Sequence, residues 1–478
     1  MNRIKRLFGA AAILGMGLLL SGCAEKEEVS ITVKVPVLAM DTVADPDIRS
    51  ANEFLKKAAE AFEAQNEGAA VNVVTFEQTK EDEVVVGCFD TDKAADVLYE
   101  GYFNMATYIY TGRMVPLDDI ISDEMKNDID SSLWEMSQAE GRTYMIPFLS
   151  LQNTYVYNKE LFREAGLEEY MTEEDIIQNW SLDEWEEILA ALKEKLPENV
   201  YVMPMYAKNN QGDTHTMTLI RSQGSSFFDE AGKFHINTDE GIAGLQWIRD
   251  NADKGYYPPY CQDLEISDAT ELFYNGQLVF IIGNSANSSA IPFEYGLVNF
   301  PGGESGYATA FVTGFSVFDN EDEKKLELAR EFVKYICETE TWTDYSAGAI
   351  PASKKTTDKY KDQIHMLEEY YQNNANVVDF TANNPNWRGV REVFYPHIQK
   401  LLRGDESAAE AAAGIDRDCN AAVEEGFRTG RLHEEREKFE TIFLLKSPDI
   451  NNQGRNPALW ISSLILTLHY AISFSYKY

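Results

Sequence analysis

The chain has few of the residues that bind metals or form disulfides. It contains six histidines and five cysteines among 478 residues. The histidines are scattered singly, and the cysteines form no CxxC pair. Cys88, Cys261, Cys337 and Cys419 could form up to two disulfides in an oxidising compartment, in a pairing that their spacing leaves open. Because a large core needs no cross-links, we expect mostly free, buried thiols, no metal and no other cofactor.

Basic residues are also scarce. Lys and Arg number 42 against 79 Asp and Glu, so the net charge is -37. Recognition of nucleic acid needs a basic face, and this composition therefore excludes nucleic acid as a partner. The acidity extends along the whole chain and is typical of a well-solvated surface. The length indicates two or three domain-sized units, and a hydrophobic content of 44% is ample for sizeable cores.

The motifs of common catalytic sites are missing. The sequence has no GxSxG, no HExxH and no glycine-rich phosphate loop. A glycoside hydrolase needs two positioned carboxylic acids, and no such pair stands out among the many acidic residues. We therefore expect that the protein is not an enzyme, with an extracellular glycoside hydrolase as the less favoured alternative.

The N-terminus has the pattern of an export signal. Arg3, Lys5 and Arg6 precede an uncharged apolar run over 7–20, which is too short to span a bilayer. The run ends in Leu20-Ser21-Gly22-Cys23. This motif resembles the lipobox of bacterial lipoproteins, whose cysteine receives a diacylglyceryl group before the chain is cut in front of it.

The lipobox implies a signal peptide over 1–22 and a lipidated Cys23 that begins a short charged tether over 23–30. Two acyl chains anchor a protein stably, whereas one gives only marginal binding. We therefore expect the mature protein on the outer face of the cell membrane, held by its lipid. An ordinary secretory signal with a chance cysteine is the alternative.

Strands and helices alternate near the start of the body. Residues 29–38 form a β-branched, largely apolar run that predicts a strand, and 48–65 has apolar residues at helical spacing. Residues 71–74 and 95–99 predict two more strands. The order strand, helix, strand predicts a parallel α/β sheet. Further strands are predicted over 154–158, 278–282 and 311–318, and further helices over 102–110, 269–275 and 325–338.

Capping residues predict where several later helices begin and end. Asn158 precedes a helix that Gly166 stops. Ser181 and Glu184 match the capping-box pattern at the start of another helix. A further amphipathic helix begins around Thr238.

Six groups of short motifs stand out when the chain is read as a whole. They are 96–97 (DV) with 108–117 (YIYTGRMVPL); 146–147 (IP) with 157–162 (YNKELF) and 164–167 (EAGL); 180–185 (WSLDEW); 272–280 (LFYNGQLVF); 329–336 (AREFVKYI); and 348–352 (GAIPA). In this order they resemble the extracellular solute-binding proteins of ABC importers, in particular the class that captures sugars. The resemblance covers about residues 30–444 and departs between Glu77 and Asp92, where members often carry a longer helix.

The resemblance implies an α/β fold of the type II periplasmic-binding-protein class, with two lobes that are each a sheet flanked by helices. Lobe one would comprise 31–147 and 279–318, and lobe two 148–278 and 319–444. The ligand would bind between the lobes at the ends of strands. The lobes would close on it by a hinge motion.

The resemblance and the chain positions together indicate a set of ligand-binding candidates. Sugar rings have apolar C–H faces and a rim of hydroxyls, which aromatic platforms and polar side chains would bind. The candidates are Asp41 after the first strand; Tyr99, Glu100 and Tyr102 at the end of the third; Tyr206, Asp213 and His215 in a polar stretch; Asn284 and Asn287 after the strand at 278–282; and Trp387 and Arg388 at a helix start. Packing in a core or at a helix end is the competing interpretation for these positions.

The function implied by the resemblance is capture of a sugar or oligosaccharide outside the cell and its delivery to an ABC permease in the membrane. A binding protein for another solute, such as a polyamine or a peptide, is the alternative. We expect a monomer.

The end of the chain has a different character. Residues 445–478 are atypical of the family, and 458–476 are mostly apolar. As a helix, that apolar run would reach about 30 Å, close to the thickness of a bilayer core. A second membrane contact is one interpretation, and a poorly ordered appendage or an aberrant reading-frame end is the other.

Overall fold

A computed structural model describes residues 28–40, 42–208, 213–284, 291–303 and 306–446. The predicted signal peptide, Cys23 and all of the predicted tail beyond residue 446 lie outside these ranges.

Strands and helices alternate along the chain, which confirms the α/β class. The strands are β1 (Val29–Pro36), β2 (Ala69–Phe76), β3 (Val97–Gly101), β4 (Gln138–Ala139), β5 (Arg142–Thr143), β6 (Ile146–Asn158), β7 (Ile177–Gln178), β8 (Phe280–Asn284), β9 (Tyr295–Val298), β10 (Thr309–Val317) and β11 (Ile350–Pro351). The helices are α1 (Ala51–Glu63), α2 (Glu81–Val84), α3 (Met105–Ile109), α4 (Asp123–Asp128), α5 (Ser131–Met136), α6 (Lys159–Ala165), α7 (Leu182–Lys195), α8 (Asp213–Arg221), α9 (Asp239–Asp253), α10 (Ile266–Tyr274), α11 (Glu323–Glu338), α12 (Glu340–Thr343), α13 (Lys354–Tyr360), α14 (Leu367–Gln372), α15 (Trp387–Arg403) and α16 (Ala408–Lys446).

Nine strands of the described ranges form one mixed sheet. Its order is β2-β1-β3-β10-β6-β9-β7, and β8 and β11 also pair with β6. β1 runs parallel to both β2 and β3, as the strand, helix, strand order predicts. β10 is antiparallel to its neighbours β3 and β6.

The long strand β6 connects two lobes. Its first part pairs with β10 and β11 as far as Asn153. Its last part, from Asn153 to Asn158, pairs with β8 and β9. Extended chain of 13 residues reaches about 40 Å, which is enough to cross from the lobe around β1 to the lobe around β9.

The lobe boundaries implied by the resemblance stay a prediction. β8 and β9, within 279–318, both pair with the last part of β6. In α11, within 319–444, Phe332 packs edge-on against Phe62 of α1 at 5.3 Å between ring centroids. A strand that crosses between lobes has partners in both, so chain order beside it does not decide which lobe a neighbour joins.

The helix boundaries agree with the capping residues. Asn158 accepts two backbone hydrogen bonds at the start of α6, and Gly166 ends that helix with φ 71°. Ser181 and Glu184 form the capping box of α7, and Thr238 caps α9. These contacts satisfy backbone N–H groups that have no partner inside the helix.

Buried aromatic clusters hold each lobe together. In the first lobe, Phe54 of α1 stacks on Phe148 at 5.4 Å between ring centroids. In the second lobe, Trp185 of α7 packs on Phe280 of β8 at 5.2 Å. The four cysteines beyond residue 28 are free thiols. Within the described ranges, no helix combines the length and the apolar character that crossing a membrane requires.

Candidate functional site

The two lobes touch where β3 ends. A single 3-10 turn, Tyr102–Asn104, follows the strand. From the second lobe, Asp379 and Phe380 lie opposite this turn, in the segment before α15. The Tyr102 hydroxyl donates to Asp379 Oδ1 at 3.2 Å, and the Phe103 ring lies 5.1 Å from the Phe380 ring. This contact between lobes is therefore both polar and aromatic.

Phe103 is the centre of a group of rings that we call the Phe103 platform: Tyr102, Phe103, Phe311 and Phe380. Phe103 and Phe311 are half-buried, whereas Tyr102 and Phe380 are buried behind them. The Phe103 ring stacks on Tyr102 at 4.8 Å between centroids and lies 5.0 Å from Phe311 of β10. The guanidinium of Arg391 on α15 lies 5.7 Å from the Phe103 centroid. Rings beside a cation form a surface that can hold both the apolar faces and the polar groups of a ligand.

Arg221 is a half-buried cation next to this platform. It donates to the backbone oxygen of Asp379 at 3.0 Å and lies over the ring of Phe227 at 5.5 Å. Burial lowers the pKa of its guanidinium. Its Nε has no hydrogen-bond partner within the described part of the chain. Leaving a buried donor without a partner is unfavourable, and the Nε of Arg221 is such a donor at this corner of the site.

The Glu100 carboxyl is buried at the end of β3. Its Oε1 accepts a hydrogen bond from Gly101 N at 2.9 Å, and no described residue is bonded to its Oε2. Burial, and then the nearby Glu81 carboxylate, raises the pKa of Glu100 to about 8. Glu81 itself accepts hydrogen bonds from Tyr108 Oη and from Asn104. The protonated form of Glu100 therefore predominates at pH 7, and it can donate as well as accept a hydrogen bond.

Tyr99 lies away from the contact between lobes. Successive side chains of a strand point to opposite faces, and Tyr99 therefore faces the first-lobe core while Glu100 faces α2. The Tyr99 ring packs 4.8 Å from Phe315 and 6.0 Å from Phe148 between centroids. These neighbours match the interpretation of Tyr99 as a core residue. A contact between Tyr99 and a ligand stays a prediction.

Tyr206 and His215 lie together, but inside the second lobe. Their ring centroids are 5.8 Å apart, and Tyr155 Oη lies 2.6 Å from His215 Nε2. Burial lowers the pKa of His215 to about 3, so the ring is neutral at physiological pH. Its Nδ1 has no bonding partner in the residues that the structure describes.

Trp387 and Arg388 take different positions at the start of α15. Trp387 is buried and stacks on Phe234 at 6.0 Å between centroids. Its ring also meets Phe380 edge-on at 6.1 Å, so it supports the platform from behind. Arg388 is exposed and pairs with Glu392 at 3.7 Å.

The remaining candidates are less fully described. Asn284 ends β8, where its backbone is in register with Asn153 of β6. Asp213 is the first residue of α8. Asp41 and Asn287 lie outside the described residues.

Sequence reasoning missed most of the platform. Phe103 directly follows the predicted Tyr102, and Arg391 is four residues after Trp387, about one turn further along α15, so both could have been found by extending those predictions. Phe311, Phe380 and Arg221 are remote in sequence, and no local pattern connects them. Among the described residues, no group of His, Cys, Asp and Glu side chains is arranged to hold a metal ion.

Comparison with known proteins identifies the class to which this site and fold belong. The profile of bacterial extracellular solute-binding proteins matches residues 45–341. The chain belongs to this family, as the motifs in the sequence predict.

Individual relatives are distant but match along most of their length. A putative binding protein of Brucella abortus is 24% identical over 436 residues, which are 86% of this chain and 98% of the relative. The diacetylchitobiose binding protein DasA of Streptomyces coelicolor is 22% identical over 342 residues, or 68% of this chain and 76% of the relative.

Solved structures show the same fold. The cyclic α-maltosyl-1,6-maltose binding protein of Arthrobacter globiformis superposes with a TM-score of 0.68 at 18% identity, over 83% of this chain and 99% of that one. The sugar-binding protein MalE of Xanthomonas citri gives 0.67 at 16% identity, over 83% and 98%. The chain therefore has the two-lobed fold of periplasmic binding proteins, which confirms the predicted fold class.

Proposed function

We propose that this protein captures a sugar or oligosaccharide between its lobes and delivers it to an ABC permease. The observation that carries the proposal is the Phe103 platform, because aromatic rings beside polar side chains are what carbohydrate recognition requires. Two similar proteins are named for carbohydrate ligands, diacetylchitobiose and cyclic α-maltosyl-1,6-maltose, and they support this choice of ligand class.

The polar groups around the platform provide the complementary half of a sugar site. Glu100 and Arg221 each retain an atom without a partner in the described residues. Arg391 adds a cation from the second lobe. A ligand bound here would contact both lobes, so binding would favour the closed arrangement by its differential affinity for that state. Closure would also exclude water and strengthen each hydrogen bond.

A thermal-shift panel tests the ligand class. A ligand that binds only the folded state stabilises it by about 2.7 kcal/mol at 100 times its Kd. We expect at least one di- or oligosaccharide to raise the melting temperature of the protein. No shift with any saccharide, together with a shift produced by a peptide, would contradict the proposal.

The variant Phe103→Ala tests the position of the site. Loss of the central ring should weaken binding of the saccharide at least about ten-fold, which corresponds to ~1.4 kcal/mol, as isothermal titration would measure. Tyr260 is 74% exposed on the loop after α9, and Tyr260→Ala is a matched control that should leave affinity unchanged. Equal affinity of Phe103→Ala and the parent protein would exclude the platform as the ligand site.

The lipid anchor is part of the same proposal. A diacylated Cys23 would hold the mature chain on the outer face of the membrane, beside the permease, as a monomer. We expect Cys23→Ser to move the protein from the membrane fraction to the soluble fraction of the cell exterior, and to abolish its labelling by radioactive palmitate. Persistence of the variant in the membrane fraction would show a different attachment.

A further inference from the structure

The loop before α15 contains an unusual concentration of left-handed backbone. Within this loop, residues 379–386, Ala382, Asn383 and Asn386 have φ values of 48°, 50° and 59°. Asparagine tolerates this conformation, whereas alanine adopts it at a steric cost. The other non-glycine residues of the described ranges with a positive φ are dispersed singly along the chain. Strained backbone is typical of binding sites and of segments that switch between states, and this cluster lies at the contact between lobes.

Two of these residues form the centre of a tight turn. Asn384 N donates to the backbone oxygen of Thr381 at 3.0 Å. A positive φ at both central residues, Ala382 and Asn383, is the pattern of a type I′ turn, for which asparagine and glycine are the favoured residues. Asn384 Nδ2 also donates to the backbone oxygen of Gly232 at 2.8 Å, within the second lobe. Contacts inside one lobe therefore fix the conformation of the turn.

Two further hydrogen bonds join this loop to the first lobe. Asn383 Nδ2 donates to the backbone oxygen of Gln138 in β4. Asn386 N donates to Thr107 Oγ1 of α3 at 3.2 Å. The chain first crosses to the second lobe in β6, and both partners precede that strand. Together with the hydrogen bond from Tyr102, they connect the loop to the first lobe at three places.

Phe380 of the platform lies inside this loop. It follows Asp379 and precedes the turn, and its buried ring lies 5.1 Å from Phe103 and 6.1 Å from Trp387 between centroids. The loop is bonded to the first lobe on both sides of Phe380, through Asp379 and through Asn383. The loop therefore sets the position of this ring beside Phe103.

We propose that the 379–386 loop is a preformed bridge between the lobes, in which Asn383 and Asn386 act as positioning residues for the ligand site. The left-handed turn directs the Asn383 amide away from its own lobe and towards Gln138. With both bonds formed, Phe380 is held against Phe103, and the aromatic surface that a ligand meets is complete. This role in ligand binding rests on the proposed function, whereas the bridge between the lobes does not.

Two glycine variants of the same turn separate the bridge from backbone strain. Asn383→Gly removes the bond to Gln138 and no other side-chain bond among the described residues, because Asn383 Oδ1 has no partner there. Ala382→Gly is the matched control, since it relieves the same kind of backbone strain and removes no bond between lobes. Both variants should melt close to the temperature of the parent protein.

Hydrogen exchange of the full-length protein, read by mass spectrometry at single residues, tests the bridge without any ligand. The Asn386 amide is bonded across the lobes, so its exchange rate reports how often that contact opens. We expect exchange at Asn386 to be several-fold faster in Asn383→Gly than in the parent protein, and unchanged in Ala382→Gly. Equal exchange rates in the two variants would overturn the proposal.

Titration with the saccharide found by the thermal-shift panel tests the positioning role. We expect several-fold weaker binding in Asn383→Gly and unchanged affinity in Ala382→Gly. Thr107→Val removes the acceptor of the Asn386 bond from the opposite lobe, so it should also weaken binding, and it keeps the test decisive if Asn383→Gly does not fold. Unchanged affinity in both Asn383→Gly and Thr107→Val would exclude the positioning role. If no saccharide binds at all, the proposed function fails, while the exchange experiment still decides whether the bridge exists.

Discussion

At the scale of single residues, the surroundings of Glu100 change the pKa of its carboxyl group. Burial and the neighbouring Glu81 raise the pKa of Glu100 to about 8 from the ordinary value of 4.5. In the unfolded chain the carboxyl would ionise near its ordinary pKa, whereas in the folded protein it keeps its proton up to about pH 8. The contribution of protonated Glu100 to the free energy of unfolding is therefore fully present below pH 4.5. It is lost as the pH rises towards 8.

Glu100→Gln should remove this dependence, because glutamine has a similar shape and cannot ionise. We expect the variant to melt at a higher temperature than the parent protein at pH 8, and the difference to shrink towards pH 5. Melting curves by circular dichroism across this range measure the effect. Glu60→Gln, at an exposed position of α1, is the control and should show no such trend. A difference that is constant with pH would contradict the assignment.

At the scale of elements, the caps explain why several helices begin where they do. Ser181 Oγ accepts a hydrogen bond from Glu184 N at 3.2 Å, and Glu184 Oε2 accepts one from Ser181 N at 2.7 Å. The helix that follows, α7, buries Trp185, Ile188 and Leu189. The cap therefore sets the register in which these side chains meet the core of the second lobe.

Ser181→Ala should destabilise the protein by about 1 kcal/mol, since it leaves a helical N–H without its cap. Urea unfolding followed by tryptophan fluorescence would measure the change in free energy of unfolding. Ser181→Asp keeps a capping oxygen and should restore most of the loss. If both variants lost the same stability, the cap would not be the cause.

At the scale of the whole molecule, the hydrogen bond from Tyr102 to Asp379 joins the lobes outside the crossing strand β6. It spans 277 positions of the chain. Asp379 also accepts from the backbone and the hydroxyl of Thr381, and its backbone oxygen accepts from Arg221. The second-lobe side of this contact is therefore held in position by its own neighbours.

Tyr102→Phe should shift the protein without ligand towards a more open arrangement, because the ring packing is kept and only the hydroxyl is lost. Small-angle scattering should show a larger radius of gyration without ligand, and saturating ligand should restore that of the parent protein. Tyr170→Phe is a matched control, since Tyr170 donates to Glu187 at 2.7 Å within the second lobe. The same expansion in both variants would show that the hydroxyl of Tyr102 has no particular role between lobes.

Local rules account for the parts of the fold that could be predicted. The strand at 29–38 and the caps at Asn158 and Ser181 depend on residues a few positions apart, and the structure confirms them as β1, α6 and α7. The lobe boundaries at 279 and 319 depend on pairings between remote segments, such as those of β8 and β9 with β6, which local rules do not reach.

The sequence by itself determined the α/β class, the order of the elements and the family, because each of these is carried by short motifs and by local hydrophobic periodicity. Only the tertiary structure decided which candidates lie at the contact between lobes. In the structure, Tyr99 packs inside the first-lobe core, whereas Phe103, Phe311 and Phe380 come together at the contact between lobes. The physical reason is that strand alternation and the crossing of β6 between lobes set which distant side chains meet.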